Sequence, residues 1–363
     1  MSEDLRRQRT GELELGVTEA TQKHFNRKVV RAPPASPARL AYEKKRPKFL
    51  REMAAEATGV FFYVFPGVAA TASLFFASAN ASAPATTAPN AAVYGSILNV
   101  AFAFGFGIAF AIITSASVSG GHFNPAITVC FVIFQGFPVR KAVRYIFAQI
   151  LGAFLAGLFI YGMWRQQISA VLAEGVPPEE LIQVFCAYPL ANQTLGYLFF
   201  IEFFVDSFIG LIIWSVLDPA NPFVAPAGAP FTIGLAYTTM VVAFANITIS
   251  TNLARDLGTR MVAAAFLSTS AFSYKSYSWI GILVNVPATV FAVTYYEFIF
   301  KDTMTHINEG HLSHPDEVYN DGSYEEKDTS ALGGTRLGRF LSNRHSGGSA
   351  DMQRPNFAKH SDE

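Results

Sequence analysis

Two tripeptides stand out for what their residue types can do: Asn124-Pro125-Ala126 and Asn252-Leu253-Ala254. Asparagine is a favoured helix N-cap, because its side-chain oxygen accepts from a backbone N–H of the first turn. Its amide N–H groups stay available to donate elsewhere. Proline suits the first helical position, where the N–H it lacks would be unpaired anyway. Each tripeptide therefore reads as a helix start, with unpaired N–H groups and about half a positive charge at its end. That is non-covalent chemistry, favouring lone pairs and opposing cations. Covalent chemistry has little to build on. No nucleophile–base pair accompanies His122, and Cys130 and Cys186 show neither a disulfide framework nor metal-ligand spacing. No enzyme activity, metal, cofactor or nucleic-acid partner is expected.

The elements that must position these starts are apolar. The chain has 363 residues, of which 51% are hydrophobic and 15% charged. Apart from the neutral His122, no charge occurs over residues 57–139, and further charge-free runs cover 145–164, 181–201, 219–254 and 276–296. Each run can supply the roughly 20 apolar residues that a spanning helix needs. Six spans are predicted, near 50–75, 93–117, 140–163, 196–217, 231–249 and 279–300. Two apolar segments remain, near 122–134 and 252–266, each too short to cross and each preceded by a turn-rich stretch. Such segments enter a bilayer only as re-entrant half-helices lining a cavity. The expected fold is an all-α membrane protein of six transmembrane helices plus two re-entrant half-helices.

The flanks differ. Residues 1–48 are charged and carry Pro33, Pro34 and Pro37, and they read as a disordered tail. Residues 301–363 read the same way, leaving 49–300 as the membrane domain. The start is polar and does not resemble a signal peptide. Lys and Arg favour the cytoplasmic side. The basic N-terminal region and the connection holding Arg140, Lys141 and Arg144 therefore belong there, and six spans return the C-terminus to the same side. Sequons at Asn80 and Asn192 then fall in outer loops, as possible glycosylation sites.

The two halves of the domain repeat. Ala55-Glu56-Ala57 lies in the first span of one half and Ile201-Glu202-Phe203 in the first span of the other, each followed by its Asn box. Three spans per half give the copies opposite orientations. Inverted repeats with broken helices meet at the midplane. Two half-helix N-termini facing each other there make a positive point that opposes cations and protons.

Over residues 50–300 the sequence resembles the major intrinsic protein family, the aquaporins and aquaglyceroporins. The resemblance rests on Ser119-Gly120-Gly121-His122-Phe123-Asn124-Pro125-Ala126-Ile127-Thr128, on Arg144-Tyr145-Ile146-Phe147-Ala148-Gln149 with Gly152, and on Arg255-Asp256-Leu257-Gly258 after the second box. It implies a passive pore for water or small neutral solutes, in a homotetramer embedded in membrane lipid. It also implies roles. Glu56 and Glu202 hold the pore-loop backbones, and His122 fits the loop histidine. Arg255 belongs to the outer constriction with Phe104, Ile249 and a fifth-span residue. That residue is Met240 counting back from Asn252, or Val241 counting forward from Ile233-Gly234-Leu235-Ala236.

Water-restricted members usually place a histidine at that fifth-span position, and this chain has none there. Asp256 and Arg260 match markers of glycerol-conducting members, and Gly281 and Ile282 stand where water-restricted members carry bulkier residues. The loop at 119–123 is nearer the water type. The resemblance thus implies a pore for neutral solutes, with water, glycerol and hydrogen peroxide as candidates. Leu253 departs from the family's proline. It keeps helix propensity but loses the fixed φ and adds an N–H. A secondary transporter coupled through Glu56, Glu202 or Asp206 is the alternative from another class. A non-conducting member sealed around Leu253 is the other alternative.

Overall fold

The computed structural model describes residues 35–79, 95–218, 221 and 223–304. It opens with α1, Pro37–Lys45, inside the stretch expected to be disordered. Ser36 caps this helix by accepting from the Arg39 N–H at 3.2 Å, and Pro37 takes the first helical position. Cap and proline outweigh a polar composition there. Residues 1–34 of the expected N-terminal tail, most of the C-terminal one and Asn80 lie outside the described residues.

Then follow α2 (Lys48–Ala79), α3 (Ile97–Ser119), α4 (Pro125–Gln135), α5 (Val139–Met163), α6 (Leu195–Leu217), α7 (Ala229–Phe244), α8 (Leu253–Phe266), α9 (Ser278–Leu283) and α10 (Asn285–Tyr295). Four of these, together with the apolar run Ser278–Phe300, are long and apolar enough to cross a membrane. The helix α7 is shorter, at 16 residues. It ends at Phe244 rather than near 249, because Thr248 is drawn into a left-handed conformation (φ 102) and its hydroxyl bonds both the N–H and the C=O of Tyr188 at 3.1 Å. The two short segments form helices, α4 of 11 residues and α8 of 14, each beginning directly after its asparagine.

The outer faces are apolar, and the interior joins an apolar core to a set of buried polar groups. One stripe of α2 at four-residue spacing, Val60, Val64, Val68, Ala72 and Phe76, is buried. Phe102, Phe106, Phe110 and Ile113 of α3 are exposed, as are Phe200 and Phe204 of α6. The charged groups Glu56, Glu202, Asp256 and Arg260 are fully buried. A water-exposed apolar surface of this kind suits lipid contact. Small residues let the helices meet closely. A Cβ at Gly105 of α3 would lie 2.7 Å from the Gly234 carbonyl oxygen of α7, and one at Gly152 of α5 would lie 2.2 Å from the Ala57 oxygen of α2.

The described residues 218, 221, 223 and 295–304 belong to a second unit. Within its described part the Tyr296 hydroxyl donates to Asp218 Oδ2 at 3.0 Å, and Lys301 pairs with Glu297 at 3.3 Å.

Candidate functional site

The two half-helix starts are built alike. Asn124 Oδ1 accepts from the Ala126 N–H at 2.9 Å. Asn252 Oδ1 accepts from Ala254 at 2.8 Å and Arg255 at 3.2 Å. The amide groups then cross over. Asn124 Nδ2 donates to the Thr251 carbonyl at 3.3 Å, and Asn252 Nδ2 donates to the Phe123 carbonyl at 2.9 Å. The helix ends therefore face each other, each tied to the residue before the other's cap. One amide hydrogen of each asparagine is committed to this crossing, and both side chains border the smaller cavity.

The residue before each cap is strained. Phe123 has φ 48 and Thr251 φ 61, a conformation that costs an L-residue about 1–2 kcal/mol. In return it turns two successive N–H groups toward one carboxylate. Glu56 accepts from His122 N (3.1 Å) and Phe123 N (2.8 Å). Glu202 accepts from Ser250 N (2.9 Å) and Thr251 N (2.7 Å). Both carboxylates are fully buried, and charge-assisted bonds of this kind are strong enough to hold the loops.

Further groups brace each loop. Gln149 of α5 donates to Glu56 Oε2 at 2.7 Å and to the Thr128 hydroxyl at 3.1 Å, and the Tyr145 hydroxyl donates to the Ser119 carbonyl at 2.7 Å. His122 stacks on Phe131 with centroids 4.4 Å apart, and its Nδ1 lies 3.2 Å from the Thr128 hydroxyl. In the other half Asn285 Nδ2 donates to the Thr251 carbonyl at 3.1 Å.

Asp256 and Arg260 form a clamp. They pair at 2.6 Å, while Asp256 Oδ2 accepts from the Ala187 N–H at 2.9 Å and Arg260 Nη2 donates to the Ala187 carbonyl at 2.7 Å. Gly281 packs on this pair, where a Cβ would lie 3.3 Å from each partner.

A cavity of about 690 Å³ leads inward on the α8 side, and a second of about 130 Å³ lies on the α4 side. Phe104, Val241, Ile249 and Arg255 line the larger one. The Arg255 guanidinium sits over the Phe104 ring, 5.4 Å from its centroid, and 3.6 Å from Asp256. A Cβ at Gly67 would lie 2.2 Å from that ring, so glycine makes room for it. Of the two fifth-span candidates, Val241 lines this cavity. Val241 shares the buried face of α7 with Gly234, Tyr237 and Thr238, whereas Met240, about 100° further round the helix, packs half-buried against the core. His122 lines the smaller cavity with Asn124 and Asn252. Glu56, Glu202 and Asp206, the coupling candidates of a transporter, line neither, and nor do Asp256 and Arg260. Asn192 is exposed in a turn.

Sequence reasoning did not single out Tyr63, Tyr237 or Asn285, nor did it assign Gln149 a role. Tyr63 carried a signal: it follows Glu56 by seven residues, two helical turns along the same face.

Two half-helices meeting inside an apolar helical shell, with cavities leading to their tips, define a membrane channel. The sequence matches the description "Major intrinsic protein" over residues 43–295. Among curated relatives, "Aquaporin-3" of Laccaria bicolor is 39% identical over 287 residues, covering 75% of this chain and 84% of that protein. "Aquaglyceroporin-2" of Rhizophagus irregularis is 32% identical over 250 residues, covering 65% and 72%. The X-ray structure of the aquaglyceroporin from Plasmodium falciparum shares the fold, with a TM-score of 0.58 at 24% identity over 69% of this chain and 96% of that one. The chain belongs to the major intrinsic protein family. It is an integral membrane protein and a passive channel for water and small solutes, not an enzyme.

Proposed function

We propose that this channel is a broad neutral-solute pore that passes glycerol and hydrogen peroxide as well as water. The observation that carries the reading is Val241 at the fifth-span position of the constriction. With Val241, Phe104 and Ile249 around Arg255, the ring has one strong donor on an apolar wall. A polyol presents hydroxyls to a donor and carbon to such a wall, whereas a strict water filter needs polar groups on several sides. The relative named as an aquaglyceroporin supports the same direction. Asp256 and Arg260 support it indirectly, through the loop at Ala187 that borders the larger cavity.

The protein works as a homotetramer in lipid, with both termini cytoplasmic. Arg140, Lys141 and Arg144 at the start of α5 support that orientation. The exposed aromatic faces of α3 and α6 support lipid and subunit contact.

Stopped-flow light scattering on liposomes carrying the purified protein tests the reading. Glycerol and water permeability should both exceed the lipid background. Water flux with glycerol at background would refute a broad pore.

A further inference from the structure

The two cavities have two lining residues in common, Tyr63 of α2 and Tyr237 of α7. Both rings are buried. The Tyr63 hydroxyl has no accessible surface and no hydrogen-bond partner. The two cavities are separate volumes that share no other lining residue, so the conduit narrows between these two rings. Tyr63 lies within electrostatic reach of Tyr237 and Arg255, and its ring centroid is 6.2 Å from that of Phe104. Tyr237 interacts with the side chain of Asn124, the cap of α4. The pair thus stands between the outer constriction and the two half-helix tips.

The backbones that carry these rings cannot easily spread or close. A Cβ at Gly107 would lie 2.8 Å from the Tyr63 Cα, and one at Gly234, a turn before Tyr237, would lie 2.5 Å from the Gly105 oxygen. With the helices fixed at glycine contacts, side-chain volume at 63 and 237 sets the width between them. A buried hydroxyl without a partner is unfavourable, and a solute hydroxyl passing by relieves it. Beyond the pair, Ile108, Ile127 and Ile233 offer an apolar wall for the carbon edge of the same solute.

We propose that Tyr63 and Tyr237 form an inner filter in series with Arg255, Phe104, Val241 and Ile249, and that this pair sets the largest linear polyol the channel passes. The proposal rests on the neutral-solute reading above and assigns its size limit to two residues outside the constriction.

The test uses liposomes with the full-length protein and three polyols of increasing length: glycerol, erythritol and ribitol. The wild-type chain should pass glycerol and exclude ribitol. Tyr63→Ala and Tyr237→Ala should each raise ribitol permeability on the order of tenfold or more, the scale on which pocket size discriminates. Val241→Ala, which widens the outer ring, should leave ribitol excluded. Unchanged ribitol flux in both tyrosine variants, or a rise in Val241→Ala alone, would overturn the filter. A monodisperse gel-filtration profile shows that each variant is folded. Tyr63→Phe covers an alanine variant that is not: it keeps the ring, removes the hydroxyl and should lower the glycerol-to-water permeability ratio, and an unchanged ratio also overturns the proposal. If wild-type water and glycerol flux both stay at the lipid background, the neutral-solute reading fails by itself. The filter then stands only if an alanine variant conducts, and falls if none does.

Discussion

At the scale of single residues the site depends on two carboxylates that never touch the conduit. Glu202 takes the N–H groups of Ser250 and Thr251 and keeps Thr251 in its left-handed conformation. Glu202→Leu leaves both donors buried and unpaired, at about 1–3 kcal/mol each. Thermal unfolding in detergent should show a marked drop in Tm, with Glu202→Gln intermediate because its side-chain oxygen still accepts. A Glu202→Leu protein as stable as wild type would contradict this role. Leu253 behaves differently. It stands at the first helical position of α8, where proline is compatible. Leu253→Pro should therefore stabilise the chain by about 0.4–1 kcal/mol, chiefly by restricting the unfolded state. A fall in Tm would instead mean that the leucine N–H or side chain makes a contact the proline cannot replace. The asparagines were legible as helix caps heading short apolar segments, and Glu56, Glu202 and Arg255 through the family resemblance that the two boxes carry. Tyr63 and Tyr237 were not, because a tyrosine on a spanning helix has the same periodicity whether it faces lipid, core or conduit.

At the scale of elements, the half-helices were legible and the fifth span only partly so. A short apolar segment headed by an asparagine cap has a defined start, and α4 and α8 begin where their caps predict. The end of α7 carries no such punctuation: residues 245–249 hold no charge, glycine or proline, and Thr248, which turns the chain, signals only through its contact with Tyr188. The same gap left Met240 and Val241 unresolved, since one residue of register decides which faces inward. What fixes α7 is its crossing with α3. Gly105 and Gly234 face each other, and the Thr238 hydroxyl donates to the Ala101 carbonyl at 3.3 Å beside them. Gly234→Leu must push the two backbones apart and should destabilise by about 1–3 kcal/mol or more, as overpacking does. Because Tyr237 and Val241 ride on the same helix, solute selectivity should change with stability. A Gly234→Leu protein with wild-type Tm and wild-type glycerol flux would show that this crossing does not position the conduit.

At the scale of the whole molecule the inverted repeat becomes electrostatics. Each half delivers one helix N-terminus to the centre, capped by Asn124 or Asn252 and fastened to the other by a crossed amide bond. Two such ends carry about half a charge each, so the centre holds roughly one positive charge. A cation 4 Å away is repelled by about 4 kcal/mol at an effective dielectric of 20, a barrier of about three decades in rate. A neutral polyol or water meets none of that barrier. Asn252→Asp isolates this effect, because its oxygen still caps Ala254 and Arg255 while a negative charge replaces the amide. The lost bond to the Phe123 carbonyl makes the variant less stable, so folding is checked by gel filtration. In liposomes loaded with a pH-sensitive dye, the wild-type protein should hold an imposed proton gradient near the lipid rate. Asn252→Asp should collapse it faster, by up to about a thousandfold if the helix ends supply the whole barrier. A folded Asn252→Asp channel that passes water and still holds the gradient would mean that exclusion lies elsewhere, with Arg255 at the outer constriction the next charge on the path.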